Sequence, residues 1–483
     1  MADERAILRG YLSVFTGDLG RLLVFAAFIP LLVRTVGEAG FGTYALVMAT
    51  FLPSRKVLNL GLFEATKTYT ARNDGDERGR VVVTSLALHL GSLLVGIPIL
   101  AGAVTLLAEG PLADALYLML AAVVGEQLYF YGRGVLHAYK REGLVEPLIP
   151  IRSVILAAVG LSLAAAGYGV PGVFAGYATG FLLTGIVSAV LALRVSGVVP
   201  SPRRLAIGAY GRPLVRFGVQ SMALVLLVTS MYKIDILLVS YFLDATRTGH
   251  YRAALQVSEF IWVVSVSMEM VMIQSTAELW ERGAIDEITA ITSRFLRYVV
   301  VVTVLLMAGV FVLGEQFLTV YFGDPYEASV RPLWILLPGV LGFAVARVVW
   351  PVLQAGGHLR KLLLATGAAV LANVFLNLIL IPRFGIIGAA IGTATAYGSM
   401  AVTHVLAART VGLEPLSGMP VGRIGLLGAI TVGLLVSLEP LGPWYVDLGL
   451  LPFVGLGVYA VGSQLLGVLT IGEARELIES FAE

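Results

Sequence analysis

Tyr168-Gly-Val-Pro-Gly-Val-Phe-Ala-Gly-Tyr-Ala-Thr-Gly-Phe181 and Phe384-Gly-Ile-Ile-Gly-Ala-Ala-Ile-Gly-Thr-Ala-Thr-Ala-Tyr397 carry one pattern of small residues. Gly169, Gly172, Gly176, Ala178 and Thr179 align with Gly385, Gly388, Gly392, Ala394 and Thr395. Upstream, Leu136-His-Ala138 corresponds to Leu353-Gln-Ala355, and Gly42-Thr-Tyr44 matches Gly249-His-Tyr251 at nearly the same offset. Glycine and alanine are common in membrane helices, so one match alone carries little weight. Three in the same order indicate an internal repeat.

Around these stretches the chain is apolar almost throughout. Of 483 residues, 58% are hydrophobic and 13% charged, and the mean hydropathy is +0.89. A soluble protein of this length needs far more polar surface. About fourteen apolar runs are long enough to cross a bilayer as helices. They lie near 9–33, 41–63, 81–107, 113–137, 147–167, 170–193, 213–242, 249–276, 295–320, 331–355, 360–381, 385–408, 421–439 and 446–467. The second is expected to break at Pro53. The run from Tyr11 to Val33 is too long for a cleaved signal core and is read as the first, uncleaved membrane helix.

Loop charge orients the spans. One alternating set of segments holds Arg5 and Arg9, Lys67 to Arg80, Lys140 and Arg141, Arg194 to Arg216, Arg282 to Arg297, Arg360 and Lys361, Arg409, Arg423 and Arg475. The other holds only Arg34, Arg247, Arg252, Arg331 and Arg383. The positive-inside rule then puts both termini in the cytoplasm. Six helices per repeat is an even number, so both copies share one orientation and pack about an axis along the membrane normal. The expected fold is all-α and polytopic: an N-lobe over 1–200, a C-lobe over 201–412, and two added helices with a cytoplasmic tail over 413–483. The lobes are expected to face each other across a central cavity.

Cations interrupt the apolar runs at Arg21, Arg55, Lys56, Lys233 and Arg347. Each costs at least roughly 2.5–3.5 kcal/mol at mid-bilayer depth, so such residues face protein or a watery cavity. Their presence in both halves points to a pocket for an anion. Arg21 lies roughly 18 Å along the helix axis from the cytoplasmic edge, with Asp18 one turn earlier as a possible ion-pair partner. Arg55 and Lys56 suit either that pocket or snorkelling to the inner interface. Lys233 and Asp235 sit two apart and point to opposite sides of a helix, which assigns Lys233 to substrate and Asp235 to a pair within its lobe. Arg347 is deep in the tenth span and is a cavity candidate. Arg133 and Arg152, near cytoplasmic ends, are expected to snorkel. Glu126, Glu259 and Glu269 suit a coupling cation or proton, or internal pairing.

Other chemistry is sparse. Cysteine is absent, which excludes disulfides, thiolate metal sites and a cysteine nucleophile. The five histidines lack ligand spacing, and no Walker A loop occurs, so no catalytic residue, metal site or cofactor is assigned. A net charge of +2 without a basic tail gives no case for nucleic acid.

Further residues carry a family resemblance. Pro30-Leu-Leu-Val-Arg34, Gly40-Phe-Gly-Thr-Tyr44, Leu60-Gly-Leu62, Asp235-Ile-Leu-Leu-Val239 and Gly249-His-Tyr-Arg-Ala-Ala-Leu255 form part of an ordered set. Leu353-Gln-Ala-Gly-Gly-His358, Asn373, Leu376-Asn377, Ile381-Pro382, Phe384-Gly385 and Gly388-Ala-Ala390 complete it. Over nearly its whole length the chain resembles the oligosaccharide-lipid flippases, the polysaccharide branch of the multidrug/oligosaccharidyl-lipid/polysaccharide exporter superfamily. One departure is Gln274-Ser275, where relatives often have a proline. The resemblance implies a lipid-linked sugar, on a polyprenyl or dolichyl phosphate or pyrophosphate, carried across the cytoplasmic membrane for glycan assembly. Arginine suits that phosphate through paired, planar hydrogen bonds. It further implies membrane lipids and glycan-assembly enzymes as partners, a monomeric chain, and a lipid-tail groove helped by the last two helices. Scarce lysine beside arginine fits a prokaryotic source. The readings weighed against it are a drug/cation antiporter of the same superfamily, which favours an acidic cavity, and a membrane glycosyltransferase or sugar polymerase, which needs larger outer loops.

The absence of cysteine makes the topology simple to check. Single cysteines at Arg204 and Arg282 are expected to resist an impermeant thiol reagent applied from outside, and one at Asp324 to react. The opposite pattern inverts the topology.

Overall fold

The computed structural model describes residues 2–219, 222, 233–469 and 472, the side chains of residues 2–19 and of Met270 lying outside that description. The Asp18 carboxylate, part of the seventh expected span and Arg475 fall outside it. Among the described residues every regular element is helical. In chain order these include α1 (Ala2–Asn59), α2 (Leu62–Arg72), α3 (Gly75–Leu107), α4 (Gly110–Ala138), α5 (Leu148–Leu163) and α6 (Gly169–Ser196). They continue with α7 (Ile234–Phe242), α8 (Ala245–Phe260), α9 (Val263–Glu281), α10 (Ile285–Phe322), α11 (Val330–Ala355), α12 (Leu359–Arg409), α13 (Val421–Leu438) and α14 (Trp444–Leu465).

Nine helical runs among the described residues are long and apolar enough to cross a membrane, or ten with α8 and α9, which meet at a 53° bend. Three of the nine have 53, 55 and 51 residues. At 1.5 Å per residue these are about 76–83 Å long, more than twice the roughly 30 Å hydrocarbon core. Each bends at glycine: Gly37 in α1, Gly167 and Gly169 between α5 and α6, and Gly385 in α12. A run count and a span count therefore differ. Leu94, Leu106, Leu371, Phe453 and Leu465 are each more than two-thirds exposed, an outer surface that only lipid would cover.

Pro53 does not break the second span as expected. Helix α1 continues through it to Asn59, and the chain turns only at Leu60 and Gly61, both with positive φ. Proline removes the backbone donor that would meet Ala49 O, and the helix nevertheless continues for six more residues; the adjacent Ser54 hydroxyl donates to Thr50 O at 2.7 Å.

The chain forms two compact units, Met1–Ser240 with Asp244–Gly249, and Tyr241–Leu243 with His250–Glu483. In the first, Val82, Tyr129, Tyr131, Leu136, Ile149 and Ala192 bring α3 to α6 around one buried cluster. In the second, α13 and α14 pack along α10. Val300, Val301, Ile424, Leu427 and Tyr459 form one cluster, and Val312, Leu313, Leu435 and Leu451 another. The Tyr459 hydroxyl donates to Val301 O at 2.8 Å, tying the last helix to α10.

The repeat appears in each unit as the same local geometry. Gly169 has φ 53°, ψ −136°, and its counterpart Gly385 has φ 59°, ψ −138°. That region is open essentially to glycine alone, so both turns depend on the missing side chain. A Cβ on Gly125 would strike the backbone of Phe181 and Leu182, and one on Gly342 that of Tyr397 and Gly398. In the repeat alignment 181 and 182 correspond to 397 and 398. Tyr44 shares a 2.7 Å hydrogen bond with Tyr177, and Tyr251 a 3.0 Å one with Thr393, again corresponding positions.

These matches generate a thermal-unfolding test. Gly169→Ala and Gly385→Ala should each destabilise by about 1–3 kcal/mol, the cost of a side chain in that backbone region. Gly367→Ala, in the same helix as Gly385 but with open space around its Cβ, should be neutral or slightly stabilising. Equal stability of the Gly385 and Gly367 variants would remove the role of the turn.

Candidate functional site

The first unit gathers several charges of the apolar runs. Helix α1 carries Phe51, Arg55 and Lys56, α4 carries Glu126 and Tyr129, α5 carries Arg152, and α6 carries Phe181. Arg55 Nη1 bonds Glu126 Oε1 at 2.5 Å, the carboxylate being almost wholly buried, and its guanidinium lies 5.6 Å from the Phe51 ring centre. Arg152 stacks over Phe181 at 4.2 Å and Tyr129 at 4.9 Å. It lies within electrostatic reach of Glu126, Arg55 and Arg21. Gly20 meets Pro150 near the start of α5, which brings the Arg21 turn of α1 to the Arg152 helix. Lys56 lies within reach of Arg55, Glu126 and Glu64.

Charge decides what this arrangement can hold. Arg55, Lys56 and Arg152 face one buried carboxylate, Glu126. Arg55 Nε and Arg152 Nη1 are shielded from solvent and have no hydrogen-bond partner among the described residues. Shielded guanidinium donors beside aromatic faces suit an anion with several acceptor oxygens. Arg152 was expected to snorkel to the interface. Instead Phe181 and Tyr129 hold it inside, because ring quadrupoles replace part of its hydration. One-dimensional depth could not reveal this, since Phe181 is distant in sequence and reaches Arg152 only through packing of α6 on α5.

The second unit is closer to electrical balance. Arg347 on α11 bonds Glu269 on α9 at 3.1 Å and lies 5.6 Å from the Phe343 ring. Arg252 bonds Glu259 at 3.0 Å. All three carboxylates that suited either a coupling ion or internal pairing, buried Glu126 and half-buried Glu259 and Glu269, are therefore bonded to arginine. The helices joined by Arg55–Glu126 correspond in the repeat to those joined by Glu269–Arg347, with the polarity reversed. Each bridging arginine follows a phenylalanine by four residues, Phe51 then Arg55 and Phe343 then Arg347, and leans on that ring. Back in the first unit, Lys233 immediately precedes α7 and is partly exposed, whereas Asp235 is fully buried and accepts the Ile236 N–H at 2.8 Å. Arg133, also expected to snorkel, makes two bonds to fully buried Glu146 at 2.7 and 3.1 Å, with His137 on the same carboxylate at 2.7 Å.

A charge swap separates structure from binding. Glu126→Gln should destabilise the protein by up to about 3–5 kcal/mol, because removing one partner strands a buried charge. The double variant Arg55→Glu with Glu126→Arg should recover most of that loss in thermal unfolding. No recovery would show that the two residues are not coupled.

The comparisons agree with this architecture. A family model described as "Polysaccharide biosynthesis protein" matches residues 31–331. A "Probable flippase AglR" of Haloferax volcanii is 25% identical over 452 residues, covering 89% of each chain. Among solved structures, "Lipid II flippase MurJ, inward closed conformation" superposes with a TM-score of 0.75 at 15% identity, over 98% of this chain and 100% of that one. An inward-facing multidrug resistance MATE family transporter of the MOP superfamily gives 0.65 at 15% identity, over 81% and 94%. These solved structures share the fold, and the family model covers more than half of the sequence. The chain belongs to the polysaccharide biosynthesis protein family.

Proposed function

We propose that the protein is a flippase that moves a lipid-linked oligosaccharide across the cytoplasmic membrane of a prokaryote by alternating access, with both termini cytoplasmic. The observation that carries this reading is the excess of cations around Arg152 inside membrane-spanning helices. A phosphate or pyrophosphate between carrier lipid and sugar supplies the acceptor oxygens that shielded guanidinium donors need. Arg21, Arg55, Lys56, Arg152 and Lys233 would hold the phosphate in the first unit, and Arg347 is the candidate cation of the second. Carrier tails too long to enter protein stay in the bilayer while the headgroup and sugar cross. The two lobes of the repeat are the moving parts of this proposal, and the last two helices are an addition outside it.

The MATE-like fold keeps a drug/cation antiporter as the second reading. A cationic drug needs an uncompensated carboxylate, and Glu126, Glu259 and Glu269 are each bonded to arginine. That observation disfavours it.

Reconstitution into vesicles with candidate lipid-linked sugars, scored by an external lectin or glycosidase, tests the proposal. Arg152→Ala and Arg21→Ala should each lower flipping by about tenfold or more, the loss expected for charge-assisted hydrogen bonds. Lysine at either position should rescue only in part, since it lacks the guanidinium fork. Alanine variants that insert normally and flip at the parental rate would refute the cationic site.

A further inference from the structure

Where α10, α13 and α14 meet in the second unit, the packing ends in acid. Val312, Leu313, Leu435 and Leu451 form a buried apolar cluster, and each helix carries a polar side chain one turn beyond it. Gln316 follows Val312 by four residues on α10, Glu439 follows Leu435 by four just past α13, and Asp447 precedes Leu451 by four on α14. Residues four apart share a helix face, so the three polar groups arrive at one level.

The Gln316 amide donates to Glu439 Oε1 at 2.9 Å and to Asp447 Oδ2 at 3.0 Å. Both oxygens lie on one nitrogen and are no more than about 6 Å apart, close enough for like charges to disfavour each other. Asp447 is fully buried and accepts a further hydrogen bond from the Leu441 N–H at 2.9 Å. The Glu439 carboxylate has the Gln316 amide alone among the described residues. On that same amide, Gln316 Oε1 is shielded from solvent and accepts no hydrogen bond among the described residues. The cluster thus holds two carboxylates on one shared donor group, beside an acceptor that lacks a donor. One proton answers both needs. A neutral Glu439 carboxyl removes a charge, and its O–H can donate to Asp447 or to Gln316 Oε1.

We propose that Glu439, Gln316 and Asp447 form a proton-operated clasp that fastens α13 and α14 to α10 and tightens as the medium turns acid. Glu439 takes the proton because hydrogen bonds to a carboxylate favour its charged form, and Asp447 accepts one more of them. Glu439 lies beyond the last residue of α13, outside the membrane-spanning helices. Burial, then Asp447 and Glu315, hold its carboxyl above the ordinary carboxylate range. Glu315 on α10 and Asp447 on α14 are the charged groups within its electrostatic reach, and both are acidic. A carboxyl raised in the folded state stabilises the fold below its ordinary pKa and loses that contribution as pH rises through the raised value. The orientation expected from loop charge puts the turn 439–443 on the outer face, so the clasp reads the outer pH. The clasp shares no residue with the carrier-phosphate site around Arg152 and stands whether or not the chain flips a lipid-linked sugar.

The test uses the full chain purified in detergent, with amide hydrogen exchange of the turn 439–447 followed at roughly pH 5 and pH 8, on either side of the raised carboxyl. The Leu441 amide, which Asp447 holds, should exchange about tenfold more slowly at the lower pH once the intrinsic pH dependence of exchange is divided out. Glu439→Gln puts a permanent donor in place of the acid. It should show the slow exchange at both pH values and unfold about 2–4 °C higher than the parent at the higher pH. Glu315→Gln, at an exposed neighbour, should keep most of the pH response. Protection of the turn that is indifferent to pH in the parent would overturn the clasp. So would a parental pH response that survives Glu439→Gln, or one that is lost in Glu315→Gln instead. Should Glu439→Gln fail to fold, Glu439→Ala decides, because it too must abolish the pH response of Leu441, though without adding protection.

Discussion

The cost of placing charge in a low-dielectric medium organises this molecule. An ion without a partner in hydrocarbon loses its hydration and gains nothing in return, so every charge carried into the membrane needs a counter-charge, a ring face, a ligand or water. Glu126, Glu259 and Glu269 meet that demand with Arg55, Arg252 and Arg347. Arg152 meets it in another way, with its guanidinium against Phe181 and Tyr129. Pairing consumes these carboxylates, and in the proposed transport the cations around Arg152 are what the carrier's phosphate meets.

The same economy governs the backbone. A chain that reverses between two adjacent membrane spans can expose few unpaired peptide groups to lipid, so its turn is kept short. Gly169 and Gly385 make such turns in nearly identical conformations, and Gly125 and Gly342 let neighbouring helices approach to backbone contact. The repeat is preserved where geometry is most demanding and diverges where side chains carry charge. Tyr177 in one copy is Thr393 in the other, yet each bonds the matching tyrosine of the preceding helices. The ion pair joining corresponding helices has even exchanged its polarity, which is possible because the cost of an isolated charge is met by either arrangement.

Much of the fold was legible because its signals are local. Apolar runs, loop charge and the glycine pattern of 168–181 and 384–397 each follow from short stretches of sequence. Pro53 misled because one lost backbone bond does not end a membrane helix that is packed against its neighbours, and α1 runs on to Asn59. The candidate site was legible only in part. Apolar context singled out Arg55, Lys56 and Arg347, and depth along the chain did not show what Arg133 and Arg152 pack against. Their actual surroundings, a buried Glu146 for one and two aromatic faces for the other, are created by packing between helices and have no signature along the chain.

The central claim is that the carrier's phosphate, rather than its tail or its sugar, is what the buried cations recognise. Affinity measured against headgroup charge addresses this most directly. A polyprenyl phosphate and the matching uncharged polyprenol differ only at the group in question, and both can be titrated into the purified protein in nanodiscs. The account predicts saturable binding of the phosphate, weakened when Arg152 becomes alanine, and at least about tenfold weaker binding of the alcohol. Equal affinity for the two lipids, or a phosphate affinity indifferent to Arg152, would contradict it.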